Sequence, residues 1–384
     1  MPDGNEPFGA ELAVAEALLR LPTAPLHEDQ PIAHVLASVA RRPGLVASLD
    51  AAGNVLVRYD GDGSDPDRPL VLVTHLDHPG FTVEDAGDGM VSLAFRGGLA
   101  ADVARPGAPI DLFGPQGPDP VARARLVATE HAGSRLTAAT ARLTGGDPAA
   151  ARFATWGLTP VTLAQGLVAA PACDDLLGAA AVLCTLGALA QRPPAPVAVW
   201  GLFTRAEEIG LRGALEAIRL ATVPRGATVV SLERSRALPG AAPSDGVVVG
   251  VGDRTTAFDP RLTQALWAAA ARVAARDRGF SYRRRLMDGG TCEASAFCAS
   301  GFRASGLALP LGNYHNARDD GAVEGAEGDF GLAPEVVAVD DYLALVQLLG
   351  ELARSPAALD GEAAEAPRWL TDGAAAARAT LGAG

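Results

Sequence analysis

Two adjacent glutamates at the end of an apolar run are the strongest chemical feature of this sequence. Glu207 and Glu208 close the segment Thr204–Glu208, which follows the apolar run Pro196–Phe203 and precedes Gly210–Ala214. Like charges raise each other's pKa, so two carboxylates at the end of a buried strand are costly to hold together. A metal ion removes this cost, because one glutamate can bind the ion while the other acts as a base on a metal-bound water. Two solvated glutamates at a helix start are the alternative interpretation of this segment taken alone.

Further metal-ligating side chains share the same placement beside predicted strands. In open α/β sheets the carboxyl ends of the strands gather at one edge, where ligands bind. Two imidazoles and three carboxylates suit zinc, with cobalt or manganese as substitutes, and a shared carboxylate can hold two ions about 3.5–4 Å apart. The sequence therefore predicts a two-metal centre that contains Glu208 together with His75, Asp174, Glu233 and His315.

Each of these residues also has an interpretation that needs no metal. His75 and His315 taken alone are typical of structural histidines, Asp174 of a helix N-cap, and Glu233 of a surface partner for a neighbouring arginine. Five such residues in order, each beside a strand end, favour the metal centre. Asp77, two residues beyond His75, is expected to accept the other ring N–H of that histidine and to fix its tautomer.

The apolar pattern predicts an α/β fold around these residues. Strands alternate with helices along most of the chain, which predicts a three-layer sandwich whose central mixed, mostly parallel sheet is flanked by helices. Between residues 92 and 167 short β-like segments alternate with Gly, Pro and Thr. We therefore expect a catalytic domain formed by 1–91 and 168–355, an inserted β-rich, barrel-like domain at 92–167, and a C-terminal tail at 356–384.

Six motifs, taken in order, resemble a known group of enzymes. They are HLDHPGF, ACDDLLG, TRAEEIGLRGA, SLERS, GGTCEASAF and GNYHNA. The set is similar to the co-catalytic di-zinc exopeptidase superfamily, and most like its glutamyl and tetrahedral (TET-like) aminopeptidases. The match runs from about Asp50 to His315, and EEIGLRGA is its most specific part.

The resemblance implies a role for each site residue. His75 and His315 resemble terminal metal ligands, and Asp174 resembles the carboxylate that bridges the two ions. Glu207 resembles the general base and acid, and Glu208 the ligand beside it. Glu233 falls where the family places an acidic ligand. The inserted domain corresponds to a lid that shapes oligomer contacts, so a homo-oligomer is implied.

The chain departs from the family pattern at three places. His78 and Pro79 replace the usual Glu and Ile, Leu176 replaces an Arg, and Cys292-Glu293 stands where Asp-Ala is common. None of these changes removes a predicted ligand, so they bear on the substrate pocket and the oligomer contacts. His78 is interpreted as a neutral surface histidine or a partner of a ligand, and His131 of the inserted domain as a solvated residue that could also reach an active site.

Composition excludes several classes of function. The 32 basic and 45 acidic residues give a formal net charge of −13 without a basic tract, which argues against nucleic acid as a partner. No apolar run approaches the roughly 18 residues that span a bilayer, and the polar N-terminus is unlike a secretory signal, so no membrane and a cytoplasmic location are expected. The four cysteines form no CxxC pair and are interpreted as free thiols.

Three functions are compatible with these observations. The first is a di-zinc aminopeptidase that acts on short peptides, with Glu207 as the general base. The second is a di-zinc deacylase or dipeptidase that cleaves N-acyl amino acids or other small amides. The third is a non-catalytic binding protein of the same fold. The first two functions differ in whether the substrate must have a free N-terminal amine. Bound metal distinguishes both of them from the third.

Overall fold

The computed structural model describes residues 9–191, 196–237, 239–318 and 331–354, together with positions 356, 359, 373 and 377. The predicted C-terminal tail therefore lies almost wholly outside the described residues. The helices are α1 (Ala10–Leu19), α2 (Asp29–Ala40), α3 (Cys173–Ala190), α4 (Arg212–Arg219), α5 (Pro260–Arg276), α6 (Glu293–Ala299) and α7 (Val339–Arg354). The strands are β1 (Val46–Leu49), β2 (Val55–Asp60), β3 (Leu70–His75), β4 (Gly80–Gly87), β5 (Met90–Arg96), β6 (Pro109–Phe113), β7 (Ala122–Ala132), β8 (Arg135–Gly146), β9 (Phe153–Trp156), β10 (Thr162–Ala164), β11 (Leu167–Ala170), β12 (Ala198–Thr204), β13 (Thr228–Arg236), β14 (Val247–Asp253), β15 (Tyr282–Met287), β16 (Arg303–Leu311) and β17 (Glu335–Ala338).

An eight-stranded mixed sheet forms the centre of the molecule. Its strand order is β1-β2-β12-β3-β13-β16-β14-β15. The four central strands β12, β3, β13 and β16 run parallel to one another, whereas the pairs β1–β2, β2–β12 and β14–β16 are antiparallel. Helices cover both faces. This arrangement confirms the predicted α/β sandwich with a mixed, mostly parallel sheet.

Strand β3 shows how the sequence produces the three layers. All six of its residues are buried, because a central strand of a sandwich has no solvent-facing side. Leu70 and Leu72 pack with helices α1, α3, α5 and α7, whereas Val71 and Val73 pack with α4 and α6 on the opposite face. The continuous apolar run therefore fixes β3 in the middle layer and brings His75 to the carboxyl edge of the sheet.

A closed six-stranded barrel is inserted into the sandwich, as predicted. Its strand order is β4-β5-β8-β7-β6-β9, and it has an apolar core of its own. The barrel begins at Gly80, before residue 92, because Phe81 follows the site segment directly and packs into the barrel core. The barrel strands end at Trp156, and β10, β11 and β17 form a separate three-stranded sheet in that order.

The last part of the chain differs from the sequence-based expectation. Proline is common at the first position of a helix, so Pro334 predicts a helix from that residue to about Ala353. In the structure the residues after Pro334 form strand β17, and helix α7 begins only at Val339. The run Glu335–Ala338 pairs with β11 and is buried throughout, so tertiary pairing outweighs the local helix signal. This short strand carries Glu335 into the site described below.

Helix α3 is long and apolar enough to cross a membrane by length and composition alone. It has 18 residues, which the sequence pattern did not reveal because Asp174 and Asp175 stand in its first turn. In the structure 83% of this helix is buried against the rest of the protein. It is the central helix of the core, so its apolar composition reflects packing within the molecule.

Candidate metal centre

The predicted site residues come together at the carboxyl edge of the large sheet. His75 is the last residue of β3, and Thr204, the last residue of the parallel strand β12, lies directly beside it. Glu207 and Glu208 follow β12 at once. Glu233 lies within the parallel strand β13 rather than at its end. The remaining members of the set are Asp77 after β3, Asp174 in the first turn of α3 and His315 after β16.

The ligand-type side chains form two groups that share one aspartate. His75 Nε2 lies 3.4 Å from Asp174 Oδ1, and Glu233 completes this group, whose ligand atoms all lie within 4.8 Å of one another. On the other side His315 Nε2 lies 3.3 Å from Glu208 Oε1 and 3.9 Å from Asp174 Oδ2. Asp174 therefore stands between two potential metal positions, which is the arrangement of a bridging carboxylate.

The state of the carboxylate oxygens fits the binding of cations here. Within the described part of the chain, Asp174 Oδ1 and Glu208 Oε1 are buried and make no hydrogen bond of normal geometry. A buried carboxylate oxygen is costly when its nearest partner, here an imidazole nitrogen at 3.3–3.4 Å, does not form a good hydrogen bond in place of the lost water. Divalent ions would satisfy both oxygens, and a set of imidazole nitrogens and carboxylate oxygens matches the preference of zinc.

Asp77 holds the two glutamates in place through their main chain. Its Oδ1 accepts the amide N–H of Glu207 at 2.9 Å, and its Oδ2 accepts that of Glu208 at 3.1 Å. The ring of His75 points Nδ1 to the Asp77 carbonyl oxygen at 3.1 Å, whereas the carboxylate lies 3.6 Å away. Asp77 thus orients His75 through its carbonyl group rather than through the predicted carboxylate contact. Its carboxylate fixes the segment that carries the glutamates.

The turn before the glutamates is held by a residue that the sequence did not reveal. Ala206 has a φ of 53°, in the left-handed region. The buried Glu28 accepts the Ala206 amide at 3.0 Å and the Arg205 Nε–H at 2.7 Å. A Cβ on Gly213 would lie 2.4 Å from the Arg205 carbonyl oxygen, so only glycine fits there. The tightly packed turn therefore requires the glycine at position 213 of the EEIGLRGA motif.

Burial and mutual repulsion change the acidity of the site. The pKa of Glu207 is raised well above its usual range, chiefly because the side chain is buried; His75 opposes the rise and Glu208 adds to it. The pKa of Glu233 is raised in the same direction by burial and by the nearby Asp174. The side chains His75, Glu207 and Glu208 have ligand atoms within 4.8 Å of one another, so Glu207 lies directly beside the ligands.

Glu335 links the main chains of two predicted ligands. Its Oε2 accepts the Asp174 amide and its Oε1 accepts the His315 amide, both at 2.9 Å. Glu335 is not among the predicted site residues, although a single acid at the start of the apolar run Glu335–Ala338 is a usable signal. His78 belongs to the same network: it is buried, and its Nδ1 lies 2.7 Å from the Asp174 carbonyl oxygen. Its second ring nitrogen contacts Asn316 Oδ1, so His78 supports the site and is not a surface residue.

We expect the substitution Glu335→Gln to weaken metal binding by about 10- to 100-fold, because the new amide group would place a donor against a main-chain N–H. The measurement is a zinc titration of the metal-free protein. Glu351→Gln is the matched control, since this acid of α7 pairs with Arg272 and Arg276 of α5. Equal zinc affinity in both variants would contradict the positioning role of Glu335.

The barrel also contributes to the site. The Gly98 carbonyl oxygen, in the segment after β5, lies 2.5 Å from His315 Nδ1 and so fixes the ring for binding through Nε2. A cavity of about 760 Å³ is lined by most of the predicted ligands, and the barrel residues Ser134 and Arg135 form part of its wall. His131 lies earlier in the same hairpin, is exposed and does not line this cavity.

Glu293, one of the departures from the family pattern, is a fully buried acid beside the site. Thr204 Oγ1 donates to its Oε1 at 2.5 Å, while Oε2 makes no hydrogen bond among the described residues. Burial raises the pKa of Glu293 to about 7, although His75 and the Thr204 bond act in the opposite direction. The side chain is therefore protonated at mildly acidic pH in the folded protein.

We expect Glu293→Gln to make the stability of the metal-free protein less sensitive to pH. The glutamate ionises near pH 4.5 in the unfolded chain and only near pH 7 in the folded one. The contribution of this group to stability is therefore highest below pH 4.5 and falls as the pH rises to about 7. The loss is on the order of 3 kcal/mol, and glutamine, which does not titrate, lacks it. The urea midpoint of both proteins, measured with chelator at about pH 5 and about pH 8, checks this. An equal fall in both proteins would contradict it.

Comparisons with known proteins agree with this geometry. Residues 149–320 match the model of the M42 glutamyl aminopeptidase family. A comparison with curated protein sequences finds no match. Among solved structures, the TET aminopeptidase of a marine sediment archaeon of the Thaumarchaeota has a TM-score of 0.73 at 17% identity, with 91% of this chain and 98% of that chain covered.

Two further structures share the fold. An aminopeptidase from Desulfurococcus kamchatkensis has a TM-score of 0.71 at 17% identity and covers 92% of this chain and 97% of its own. The TET1 peptidase of Pyrococcus horikoshii has a TM-score of 0.68 at 18% identity, with 90% and 99% covered. The family match and the shared fold confirm the predicted resemblance of this chain to the co-catalytic metallo-aminopeptidases of the M42 and TET type, which are hydrolases.

Proposed function

We propose that this chain is a metal-dependent aminopeptidase that removes the N-terminal residue of short peptides. Its cofactor in this proposal is a pair of zinc ions, for which cobalt or manganese can substitute. The observation that carries the proposal is the position of Asp174 between two ligand groups, His75 with Glu233 and Glu208 with His315. The family match over residues 149–320 supports the same class of reaction.

The residues of the site have separate tasks in the proposed reaction. When bound, two divalent ions act as Lewis acids on the scissile carbonyl and on the attacking water. Glu207 lies beside the ligands but belongs to neither of the two groups that share Asp174. It takes the proton from the water and passes it to the leaving amine. The Asp77 carboxylate holds the Glu207 main chain and so keeps this base in reach of the water.

The remaining parts of the proposal concern partners and location. The acidic end of the cavity suits the positively charged α-amine of a peptide, which would lie near a carboxylate of the site. The Pyrococcus horikoshii relative is described as assembling into a tetrahedron or a large octahedral shell, and we propose a homo-oligomer for this chain as well. The cytoplasmic location expected from composition stays a prediction.

A substrate panel tests the proposed function. The metal-loaded protein should hydrolyse aminoacyl-p-nitroanilides and short peptides with a free N-terminus, and their N-acetylated forms should not react, because the acidic end of the cavity recognises the free amine. Hydrolysis of N-acyl amino acids without that requirement would replace the aminopeptidase by the deacylase. Tight zinc binding without hydrolysis of either class would indicate a non-catalytic protein.

A further inference from the structure

The outer part of the cavity is basic, in contrast to its inner end. Arg135, Arg236 and Arg254 line the cavity with exposed side chains, whereas the predicted ligands Asp174 and His315 of the same cavity are buried. A fourth lining arginine, Arg234, is buried and paired with Asp175 beneath the site. The chain as a whole has a formal net charge of −13, so this concentration of positive charge at the mouth of the cavity is a local property and not a reflection of composition.

The acids that line the cavity are committed elsewhere. Four of them are the metal ligands and the proposed base, at the inner end. The fifth, Asp253, is buried and accepts the main-chain amides of Thr255, Thr256 and Cys292 and the Ser295 hydroxyl, at 2.7–2.9 Å. Its carboxylate therefore holds two loop segments that line the cavity.

The main chains that carry the three arginines are fixed. Arg135 stands at the tip of the β7–β8 hairpin, which is tied to the segment after β5 by the hydrogen bonds Ala101 N–H to Ser134 O and Leu136 N–H to Leu99 O. Arg236 is the last residue of β13 and pairs with β16. The Arg254 amide donates to the Gly290 carbonyl, and its guanidinium donates to the Asp288 and Gly289 carbonyls at 3.3 and 3.0 Å.

The guanidinium of Arg254 retains capacity for a ligand. The two side-chain bonds use two of the five N–H donors of an arginine, and the residue is exposed and lines the cavity. Guanidinium groups bind carboxylates through paired N–H donors, and such charge-assisted bonds are among the stronger ones in proteins. A cluster of three arginines facing one cavity fits a carboxylate better than a neutral group.

The strand spacing indicates the length of a substrate that spans the cavity. Glu233 and Arg236 lie three positions apart on β13, which is about 10 Å between their Cα atoms. A peptide extends about 3.3–3.6 Å per residue, so its carboxylate would reach the arginines two or three residues beyond the α-amine. An acidic end for the amine and a basic end for a carboxylate together match a di- or tripeptide.

We infer that Arg135, Arg236 and Arg254 form a subsite for a carboxylate of the substrate remote from its α-amine, which rests on the proposed function and makes the chain an aminopeptidase of very short peptides. Two sources can supply this carboxylate: the free C-terminus of a di- or tripeptide, or an acidic side chain at the second or third residue. The geometry favours the C-terminus, because every short peptide carries it at this distance.

Three tripeptides separate these sources: Ala-Ala-Ala, its C-terminal amide, and Ala-Ala-Glu with a C-terminal amide. With the metal-loaded full chain, we expect kcat/KM for Ala-Ala-Ala to exceed that for its amide by about ten-fold or more, mostly through KM. In Arg254→Gln and Arg135→Gln this ratio should fall towards one. Arg125→Gln, an exposed barrel arginine away from the cavity, is the control and should keep the ratio.

Each outcome has a distinct meaning. If the glutamyl peptide amide, and not the free C-terminus, shows the arginine-dependent gain, the subsite stands and its carboxylate comes from a side chain. Equal hydrolysis of all three peptides in the parent and in both arginine variants would overturn the subsite and leave the aminopeptidase intact. Absence of hydrolysis of all three peptides, with zinc bound, would instead overturn the proposed function.

Discussion

Replacement of Glu207 by Gln is expected to lower kcat by about 10²–10⁴-fold while both metal ions remain bound. Glu207 lies beside the ligands, but the two groups that share Asp174 are complete without it, because His75, Glu233, Glu208 and His315 supply the other ligand atoms. Glutamine keeps the shape of the side chain and cannot take a proton from water. The measurement is kcat on a peptide substrate together with the zinc content of the same preparation.

The neighbouring glutamate gives the matched control for this prediction. Glu208 belongs to the ligand group with His315, at 3.3 Å, so Glu208→Gln should reduce zinc content as well as turnover. The two substitutions are chemically identical and one residue apart, and Asp77 holds both main-chain amides. If Glu207→Gln retains turnover, Glu207 is not the general base. Loss of zinc in that variant would make it a ligand instead.

Replacement of Asp174 by Asn is expected to have a still larger effect, because this side chain is shared by both ligand groups. Asparagine offers one neutral oxygen in place of two charged ones, so both ions should be held weakly and kcat/KM should fall by about 10⁴-fold or more. Zinc content by elemental analysis, with turnover on the same sample, measures this directly.

The control for Asp174→Asn must show that the fold survives. Asp119→Asn, in the exposed turn between β6 and β7, removes the same charge away from the site and should leave zinc content and turnover unchanged. Far-UV circular dichroism of Asp174→Asn should match that of the parent, since the Asp174 main-chain amide still donates to Glu335. Two ions retained at full affinity in Asp174→Asn would contradict the shared-ligand arrangement.

The sequence predicts which ligand-type side chains come together because their positions follow from the pattern of strands. An apolar run that ends in His75, or one that is followed by Glu207, marks a strand end, and the parallel topology then gathers these ends at one edge. The same patterns predict the α/β sandwich and the inserted β-rich module. The local signals and the tertiary structure agree at these positions.

The supporting residues are beyond reach of such reasoning because their partners are remote in the chain. Glu335 holds the Asp174 amide from 161 positions away, and Glu28 holds the Ala206 amide from 178 positions away. Glu28 precedes helix α2 and Glu335 opens strand β17, and neither local pattern names the remote main-chain amide that the acid holds. The placement of Glu335 also depends on β17, where pairing with β11 replaces the helix that Pro334 suggests.

A zinc titration of the metal-free protein, with bound zinc and turnover measured on each sample, tests the central claim most directly. The shared position of Asp174 predicts that two ions bind per chain in the parent protein and that full turnover appears only when both are bound. Asp174→Asn should bind neither ion tightly. Full turnover by the metal-free protein, or saturation at a single ion per chain with full turnover, would contradict a two-metal centre built around Asp174.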